Sequence, residues 1–297
     1  MKQALAVINR KSGKSKKRGI EAALIRQLNG TGYEVMIKPT PAGGAEGLIS
    51  EYAADKDLIV AVGGDGTISE VINAVLKEGL DIPIAVIPTG TVNDLARVHG
   101  IPLDAEEAIR KLPESVPAPV DVIRVNDRHA SYLIALGAFM TAFAEVDARI
   151  KNKIGRLAYL FAGIRMLLRL KRYNVTIKTE DAEIRSASVL TIVSKLRSVG
   201  SLGRLIRHAE AGDGLLHIIN IEPVNVFEAL HLIWHAVRGD LTDHKKVTYL
   251  TAGQAEIRAS GLSHMNIDGD IHAYRDMELS VARGAVTLMK PASSGNT

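Results

Sequence analysis

The chain has 297 residues, of which 46% are hydrophobic and 24% are charged, a balance that excludes a disordered or fibrous protein. It contains no cysteine, which excludes disulfides, thiolate metal sites and cysteine nucleophiles and suits a reducing compartment. The net charge of +4 is mildly basic, but the few aromatic residues are not interleaved with the basic ones, so no nucleic-acid partner is predicted. The first apolar run is too short for a signal peptide, and none approaches the ~20 residues of a membrane span. We therefore expect a cytoplasmic protein.

Short apolar runs alternate with helical stretches over residues 1–119. The predicted elements are, in chain order, a strand at 4–9, a helix at 15–29, a strand at 33–38, a helix at 45–54, a strand at 58–62, a helix at 67–77, a strand at 82–87 and helices at 92–98 and 105–112. This alternation predicts an α/β domain with a parallel sheet and helices on both faces.

The second half of the sequence changes character after residues 113–119, which hold three prolines and are predicted to form a linker. Strands are predicted at 120–125, 130–136, 175–179, 188–193, 215–221, 247–251, 255–259, 277–282 and 285–289, and helices at 151–173 and 226–237. Many short strands with turns between them predict an antiparallel β-sandwich domain at 120–290, followed by a frayed tail at 291–297.

The turn Gly63-Gly64-Asp65-Gly66-Thr67 lies between a predicted buried strand and a predicted helix. Glycines let the backbone approach a phosphate closely, and the helix N-terminus adds free N–H groups. Asp65 would repel a bare phosphate, so it suits a Mg²⁺ ion between the two. The alternative is a plain tight turn with a helix cap, which does not need three glycines around an aspartate. The spacing matches neither the dinucleotide-binding motif nor a P-loop.

Two further polar loops follow predicted strands of the same sheet, at 9–13 and at 88–94. The carboxyl ends of parallel strands meet at one edge of the sheet, which is where open α/β sheets bind ligands. Three glycine-containing loops at one edge predict a nucleotide site.

These three loops, together with Glu70 and Asn73, resemble the diagnostic motifs of the diacylglycerol kinase catalytic family, which includes sphingosine and ceramide kinases and bacterial soluble lipid kinases. Residues 153–159, 213–216 and 268–270 match later landmarks of the family, so the similarity runs the whole length. The resemblance implies an NAD kinase-like α/β domain followed by a β-sandwich. It also implies a kinase of lipid metabolism that uses ATP and Mg²⁺ to phosphorylate a hydroxyl of diacylglycerol or a related lipid, in phospholipid biosynthesis.

The resemblance also assigns site residues. Asp65 would act with the catalytic Mg²⁺, and Asp270 would be the base on the lipid hydroxyl, where the family usually has glutamate. A structural Mg²⁺ would be held by Glu210, Asp213 and the carbonyl of Leu215, although a simple β-turn aspartate is the alternative for Asp213. ATP would be contacted by Asn9, Arg10, Lys11, Ser12, Gly13, Thr40, Gly63, Gly64, Asp65, Gly66, Thr67, Ser69 and Thr91.

The sequence departs from the family pattern at two places on the acceptor side. The strand at 133–136 lacks the usual asparagine, and the glycine-rich stretch before Asp213 is reduced to 200–203. The departures leave the identity of the acceptor open.

The predicted helix at 151–173 contains seven Lys or Arg and no acid, with apolar residues at helical spacing. A helix of this kind can lie on an anionic membrane, which predicts peripheral contact with the inner membrane surface. A core-packed helix with a solvated basic face is the alternative. The sequence leaves the oligomeric state, including a homodimer, open.

Two other functions share parts of this pattern. An NAD kinase has the same glycine turn and a following sandwich, but the loop at 88–94 favours the lipid branch. A non-catalytic nucleotide- or lipid-binding regulator is kept open by the aspartate at position 270. Identifying the compound that receives phosphate from ATP distinguishes a lipid kinase, an NAD kinase and a non-catalytic regulator.

Overall fold

The structure is a computed structural model that describes residues 1–10, 17–137, 170–195, 198–199, 202–204 and 212–292. The chain forms two compact units, one of Met1–Val122 with Ala282–Thr297 and one of Ile123–Val281. This grouping differs from the predicted division at 119 and 290. The chain returns to the first unit near its C-terminal end, because the last strand there pairs with a strand of that unit.

The first unit contains a parallel sheet. Its elements are β1 (Lys2–Ile8), α1 (Lys17–Asn29), β2 (Tyr33–Pro39), α2 (Glu46–Tyr52), β3 (Leu58–Gly63), α3 (Asp65–Lys77), β4 (Ile84–Pro88), α4 (Asp94–Val98), α5 (Ala105–Lys111) and most of β5 (Ser115–Val125). Strands β1 to β4 run parallel in the order β2-β1-β3-β4. The predicted α/β fold is confirmed.

The order of these strands creates a point where the chain changes direction. From β1 the chain moves outward to β2 and then returns to pair β3 with the other side of β1. Every residue of β3 is buried, and α3 covers the sheet with Ile68, Val71 and Ile72. Ligands of open α/β sheets bind outside the carboxyl ends of the strands at such a point. In this chain that point lies at the carboxyl ends of β1 and β3.

The second unit is built from antiparallel strands. Its elements are β6 (Arg128–Ala130), β7 (Leu133–Gly137), β8 (Tyr173–Thr179), β9 (Glu183–Ser188), β10 (Leu190–Ser194), β11 (Ser198–Val199), β12 (Leu202–Arg204), β13 (Leu216–Ile221), α6 (Val226–Arg238), β14 (Val247–Ala252), β15 (Gln254–Ser260), β16 (His264–Ile267), β17 (Asp270–Ala273) and the start of β18 (Met277–Pro291). In the stretches that the structure covers, no helix is both long and apolar enough to cross a bilayer.

Two sheets of this unit share one core. One has the order β14-β13-β10-β7-β16-β17, and the other contains β15, β8 and β9. Ile134 and Ile218 from the first sheet pack with Ile177 and Ile257 from the second. Apolar side chains from two facing sheets define a β-sandwich, so the predicted sandwich is confirmed.

Residues 113–119 are not a linker. A 3-10 turn at Leu112–Glu114 leads directly into β5. Pro117 and Pro119 are two residues apart and exposed, so their missing N–H donors fall on the same edge of the strand. Proline is tolerated where a strand edge needs no donor. The prolines predict a linker, but β5 pairs with β6 and β18 and therefore forms a strand.

Three other predicted strands differ from the structure, and one predicted helix lies mostly outside it. The strands predicted at 277–282 and 285–289 are one strand, β18. The strand predicted at 130–136 is broken at Ser131 into β6 and β7, which lie in different sheets. Most of the helix predicted at 151–173 lies outside the described residues, and its final residue belongs to β8.

Gly137 provides a test of the packing in the sandwich. Its φ is +95°, and a Cβ atom there would lie 2.3 Å from the carbonyl oxygen of Val189. Gly261 has a similar φ of +91°, but the nearest atom to its Cβ would be 3.8 Å away. Both Gly→Ala variants introduce a strained left-handed residue, which costs about 1–2 kcal/mol, and only Gly137→Ala adds a backbone clash.

We therefore predict that Gly137→Ala lowers the free energy of unfolding by about 2 kcal/mol more than Gly261→Ala does. Urea unfolding followed by the fluorescence of Trp234 in α6, the single tryptophan of the chain, measures both losses. Equal losses in the two variants would contradict the packing described here.

Candidate active site

Two glycine loops at the carboxyl edge of the parallel sheet touch backbone to backbone. A Cβ on Gly63 would lie 2.4 Å from the Cβ of Thr67, and one on Gly90 would lie 2.6 Å from the Cα of Gly64. Contacts this short admit no side chain, so glycine is required at Gly63 and Gly90 for steric reasons. The absence of side chains leaves the N-terminus of α3 accessible to a ligand at this edge.

Hydrogen bonds join the ends of β1, β3 and β4. The side-chain amide of Asn9 donates to the Thr67 hydroxyl at 2.8 Å, which links the end of β1 to the first turn of α3. The Thr89 amide donates to the Gly63 carbonyl at 2.8 Å. Asn93 adopts a left-handed φ of 54°, and its side chain accepts the Gly90 amide at 3.0 Å, which closes the third loop. The three predicted loops therefore converge.

Asp65 lies in the first turn of α3, two residues before the predicted helix start. Its Oδ1 accepts the Leu95 amide of α4 at 3.3 Å. Burial raises the pKa of this carboxyl, while the amides of Leu95, Asn93 and Asp94 partly oppose the rise. A carboxylate whose pKa is raised by burial gains from a bound cation.

The other predicted nucleotide residues of this unit lie in different environments. The Thr40 hydroxyl is buried and has no hydrogen-bond partner in the described part of the chain, so it has capacity for a ligand. Thr91 is exposed, whereas Ser69 is buried within α3. The guanidinium of Arg10 pairs with Glu21 at 3.2 Å, an alternative to the predicted phosphate contact. Gly66 lies in the first turn of α3, and Lys11, Ser12 and Gly13 lie outside the described residues.

Asp268 and Asp270 lie two residues apart in the second unit but have different environments. Asp268 and Gly269 have φ values of 52° and 104° and form the two-residue turn between β16 and β17. The Asp268 carboxylate is 1% exposed and accepts the backbone amides of Ser131, Tyr132 and Leu133. It thereby fixes the break between β6 and β7. Asp270 is exposed at the start of β17, so solvent or a substrate can reach it.

The predicted metal residues Asp213 and Leu215 do converge, but on an ammonium group. The Lys195 Nζ lies 2.8 Å from the Leu215 carbonyl oxygen and 3.2 Å from the Asp213 Oδ1. Glu210 lies outside the described residues. Among the residues with described positions, no group of three or more His, Cys, Asp or Glu side chains could hold a metal ion.

Comparison with known proteins gives the family. The model of the diacylglycerol kinase catalytic domain matches residues 3–125, and the model of the YegS C-terminal NAD kinase beta sandwich-like domain matches residues 120–290. A diacylglycerol kinase of Staphylococcus epidermidis is 32% identical over 272 residues, which cover 91% of this chain and 86% of the relative. One of Staphylococcus aureus is 31% identical with the same coverage. The chain belongs to the diacylglycerol kinase catalytic family. It is therefore a transferase of the lipid kinase class.

A solved member of this family has the same fold. The crystal structure of a diacylglycerol kinase from Bacillus anthracis superposes with a TM-score of 0.79 at 22% sequence identity and covers 97% of each chain. Similarity of fold over the full length agrees with the match of both family models.

Sequence reasoning missed two residues with structural roles in the second unit of this lipid kinase. Lys195 directly follows the apolar strand β10, and a lysine at the end of a buried strand is the only signal it leaves. The structural role of Asp268 was missed because the pattern Asp268-Gly269-Asp270 does not show which carboxylate is buried.

We predict that Asp268→Asn lowers the free energy of unfolding by about 3 kcal/mol, since an amide nitrogen would face buried N–H groups that now donate to a carboxylate. The matched control Asp270→Asn changes an exposed carboxylate two residues away and should shift the free energy by at most about 0.5 kcal/mol. Urea unfolding monitored by Trp234 fluorescence distinguishes the two. A similar loss in both variants would show that Asp268 has no special structural role.

Proposed function

We propose that this lipid kinase transfers the γ-phosphate of ATP, bound with Mg²⁺, to a hydroxyl of diacylglycerol or a related lipid. The observation that carries the proposal is the convergence of the three loops, joined by the Asn9–Thr67 hydrogen bond and by the close approach of Gly64 and Gly90. Membership of the family supports the lipid acceptor.

The nucleotide half of the proposal is supported by the N-terminus of α3. The first backbone N–H groups of a helix have no intrahelical acceptor, and the helix dipole is positive at this end. Gly64 and Gly90 present no side chain that would block a phosphate from these groups. The Thr40 hydroxyl, which is buried without a partner among the described residues, is a further donor for the nucleotide.

Asp65 is the residue of this chain that would hold Mg²⁺ beside the nucleotide. Its carboxylate is largely shielded from solvent, which raises its pKa, and carboxylate oxygens are preferred Mg²⁺ ligands. When bound, the ion offsets the charge of the phosphates during transfer. The hydrogen bond from Leu95 orients the carboxylate and fixes it relative to the loop that ends at Asn93.

Asp270 is the proposed general base. In the reaction, the lipid hydroxyl oxygen forms a bond to the γ-phosphorus, the bond from that phosphorus to the β–γ bridging oxygen breaks, and ADP leaves. The hydroxyl proton passes to the Asp270 carboxylate, which is exposed and so can meet an acceptor. The product is the phosphorylated lipid. A lipid acceptor also fits the peripheral membrane contact proposed for residues 151–173, which lie outside the described residues apart from their last four.

The two aspartates give a direct kinetic prediction. We expect Asp270→Asn to lower kcat for phosphorylation of diacylglycerol in mixed micelles by roughly 10²–10⁴-fold, with little change in the KM for ATP, because only the base is lost. We expect Asp65→Asn to lower kcat/KM for ATP by at least about 10²-fold and to raise the Mg²⁺ concentration needed for half-maximal rate.

Asp181→Asn is the matched control, since Asp181 is an exposed aspartate between β8 and β9 that has no proposed role. Its rate should equal that of the wild type. Full activity of Asp270→Asn would exclude Asp270 as the base, and unchanged nucleotide kinetics in Asp65→Asn would exclude the proposed Mg²⁺ site.

A further inference from the structure

The family resemblance places a divalent cation at a turn of the second unit where this chain has a buried lysine. Strands β10 and β13 are antiparallel neighbours, with Ser194 paired to His217. Lys195 follows the end of β10, and Leu215 immediately precedes β13, so the lysine side chain meets the turn that begins at Asp213. The resemblance predicts a Mg²⁺ ion held by Glu210, which lies outside the described residues, by this aspartate and by the Leu215 carbonyl.

The ammonium of Lys195 contacts the two predicted metal ligands that the structure describes. It donates to the Leu215 carbonyl at 2.8 Å and to the Asp213 Oδ1 at 3.2 Å. The Leu215 amide donates to the same Oδ1 at 3.0 Å. Lys195 is only 2% exposed, and a buried ammonium is stable only when oxygens of this kind surround it.

The second carboxylate oxygen of Asp213 also has a partner. The His217 Nε2 lies 2.7 Å from the Asp213 Oδ2, and the His217 Nδ1 lies 2.7 Å from the Tyr249 hydroxyl. The two rings are stacked, with an interplanar angle of 8°. Both oxygens of the carboxylate are therefore occupied by groups from β13 and from the end of β10.

A Mg²⁺ ion does not fit this arrangement. Mg²⁺ binds oxygen at about 2.1 Å and needs six ligands in octahedral geometry. An ion within that distance of the Leu215 carbonyl and the Asp213 Oδ1 would stand beside the ammonium, which contacts the same two oxygens, and the two positive charges would repel strongly at this separation. Binding of the ion would require that the Lys195 side chain leave a buried position.

We propose that the Lys195 ammonium is the cation that holds the Asp213–Leu215 turn in this chain, in place of the divalent ion that the resemblance implies. The fold of the second unit then does not depend on Mg²⁺. Any Mg²⁺ that the enzyme requires is then the ion that binds with the nucleotide.

Thermal unfolding of the nucleotide-free full chain tests this proposal. Trp234 lies in α6 of the second unit, so its fluorescence reports on the unit that contains the turn. The Tm is measured in a metal chelator and in millimolar MgCl₂ at equal ionic strength. We expect the wild-type Tm to agree within about 1 °C in the two buffers, since Mg²⁺ has no site to stabilise.

The variants Lys195→Met and Lys195→Ala remove the ammonium and leave the partly buried Asp213 carboxylate without it. We expect the Tm of each to fall by roughly 10 °C in the chelator. The matched control is Lys246→Met, because Lys246 also pairs with an acid, Glu222, in the same unit but is partly exposed. Its Tm should fall by less than about 3 °C. Lys195→Ala leaves space where the ammonium stood. Millimolar Mg²⁺ should therefore restore part of the lost Tm in Lys195→Ala but not in Lys195→Met.

Two outcomes would overturn the proposal. One is a wild-type Tm that falls by several degrees in the chelator and recovers with Mg²⁺, which would show that a divalent ion stabilises the unit. The other is a Lys195→Met variant with the wild-type Tm. The wild-type comparison needs no variant, so it decides the question even if the Lys195 variants fail to fold.

Discussion

The close approach of two backbones at the carboxyl edge of the parallel sheet is the constraint on which the rest of the nucleotide side depends. Gly64 and Gly90 come so near that no Cβ atom fits on Gly90. The strand order reverses between β1 and β3 at the same edge, where open α/β sheets bind their ligands. A helix N-terminus beside bare glycine backbone favours an anionic ligand on electrostatic grounds and gives it steric access. The side chains around it, such as Asn9 and Asn93, hold the loops in this arrangement.

Burial decides what each aspartate of this protein can do. Asp268 is enclosed by three amide donors and serves to join β7 to the turn beside it. Asp213 is neutralised by a lysine and bonded to a histidine, so it stabilises a turn. Burial raises the pKa of Asp65 although several backbone amides oppose the rise, and this setting suits a bound cation. Asp270 is exposed, and we propose it as the general base. One residue type therefore occupies very different surroundings in this chain.

Local patterns in the sequence were sufficient to predict the parallel sheet, the sandwich and the convergence of the glycine loops. Each depends on periodicity, on glycine spacing or on the rule that parallel strands share a carboxyl edge. The prediction of a linker at 113–119 was wrong because proline spacing does not reveal that β5 has pairing partners elsewhere in the chain. Lys195 was missed for a related reason, since its partner Asp213 lies eighteen residues later and nothing local marks the pair. In both cases the structure depends on interactions between residues that are far apart in the sequence.

In the proposed reaction, phosphate moves from ATP to a lipid hydroxyl. The most direct measurement supplies ATP labelled in its γ-phosphate, with Mg²⁺, to the purified full chain in three parallel reactions that contain diacylglycerol in mixed micelles, NAD, or no acceptor. We expect label to appear in phosphorylated lipid and in neither of the other reactions. Labelled NADP, or no labelled product in any reaction, would contradict the proposed reaction.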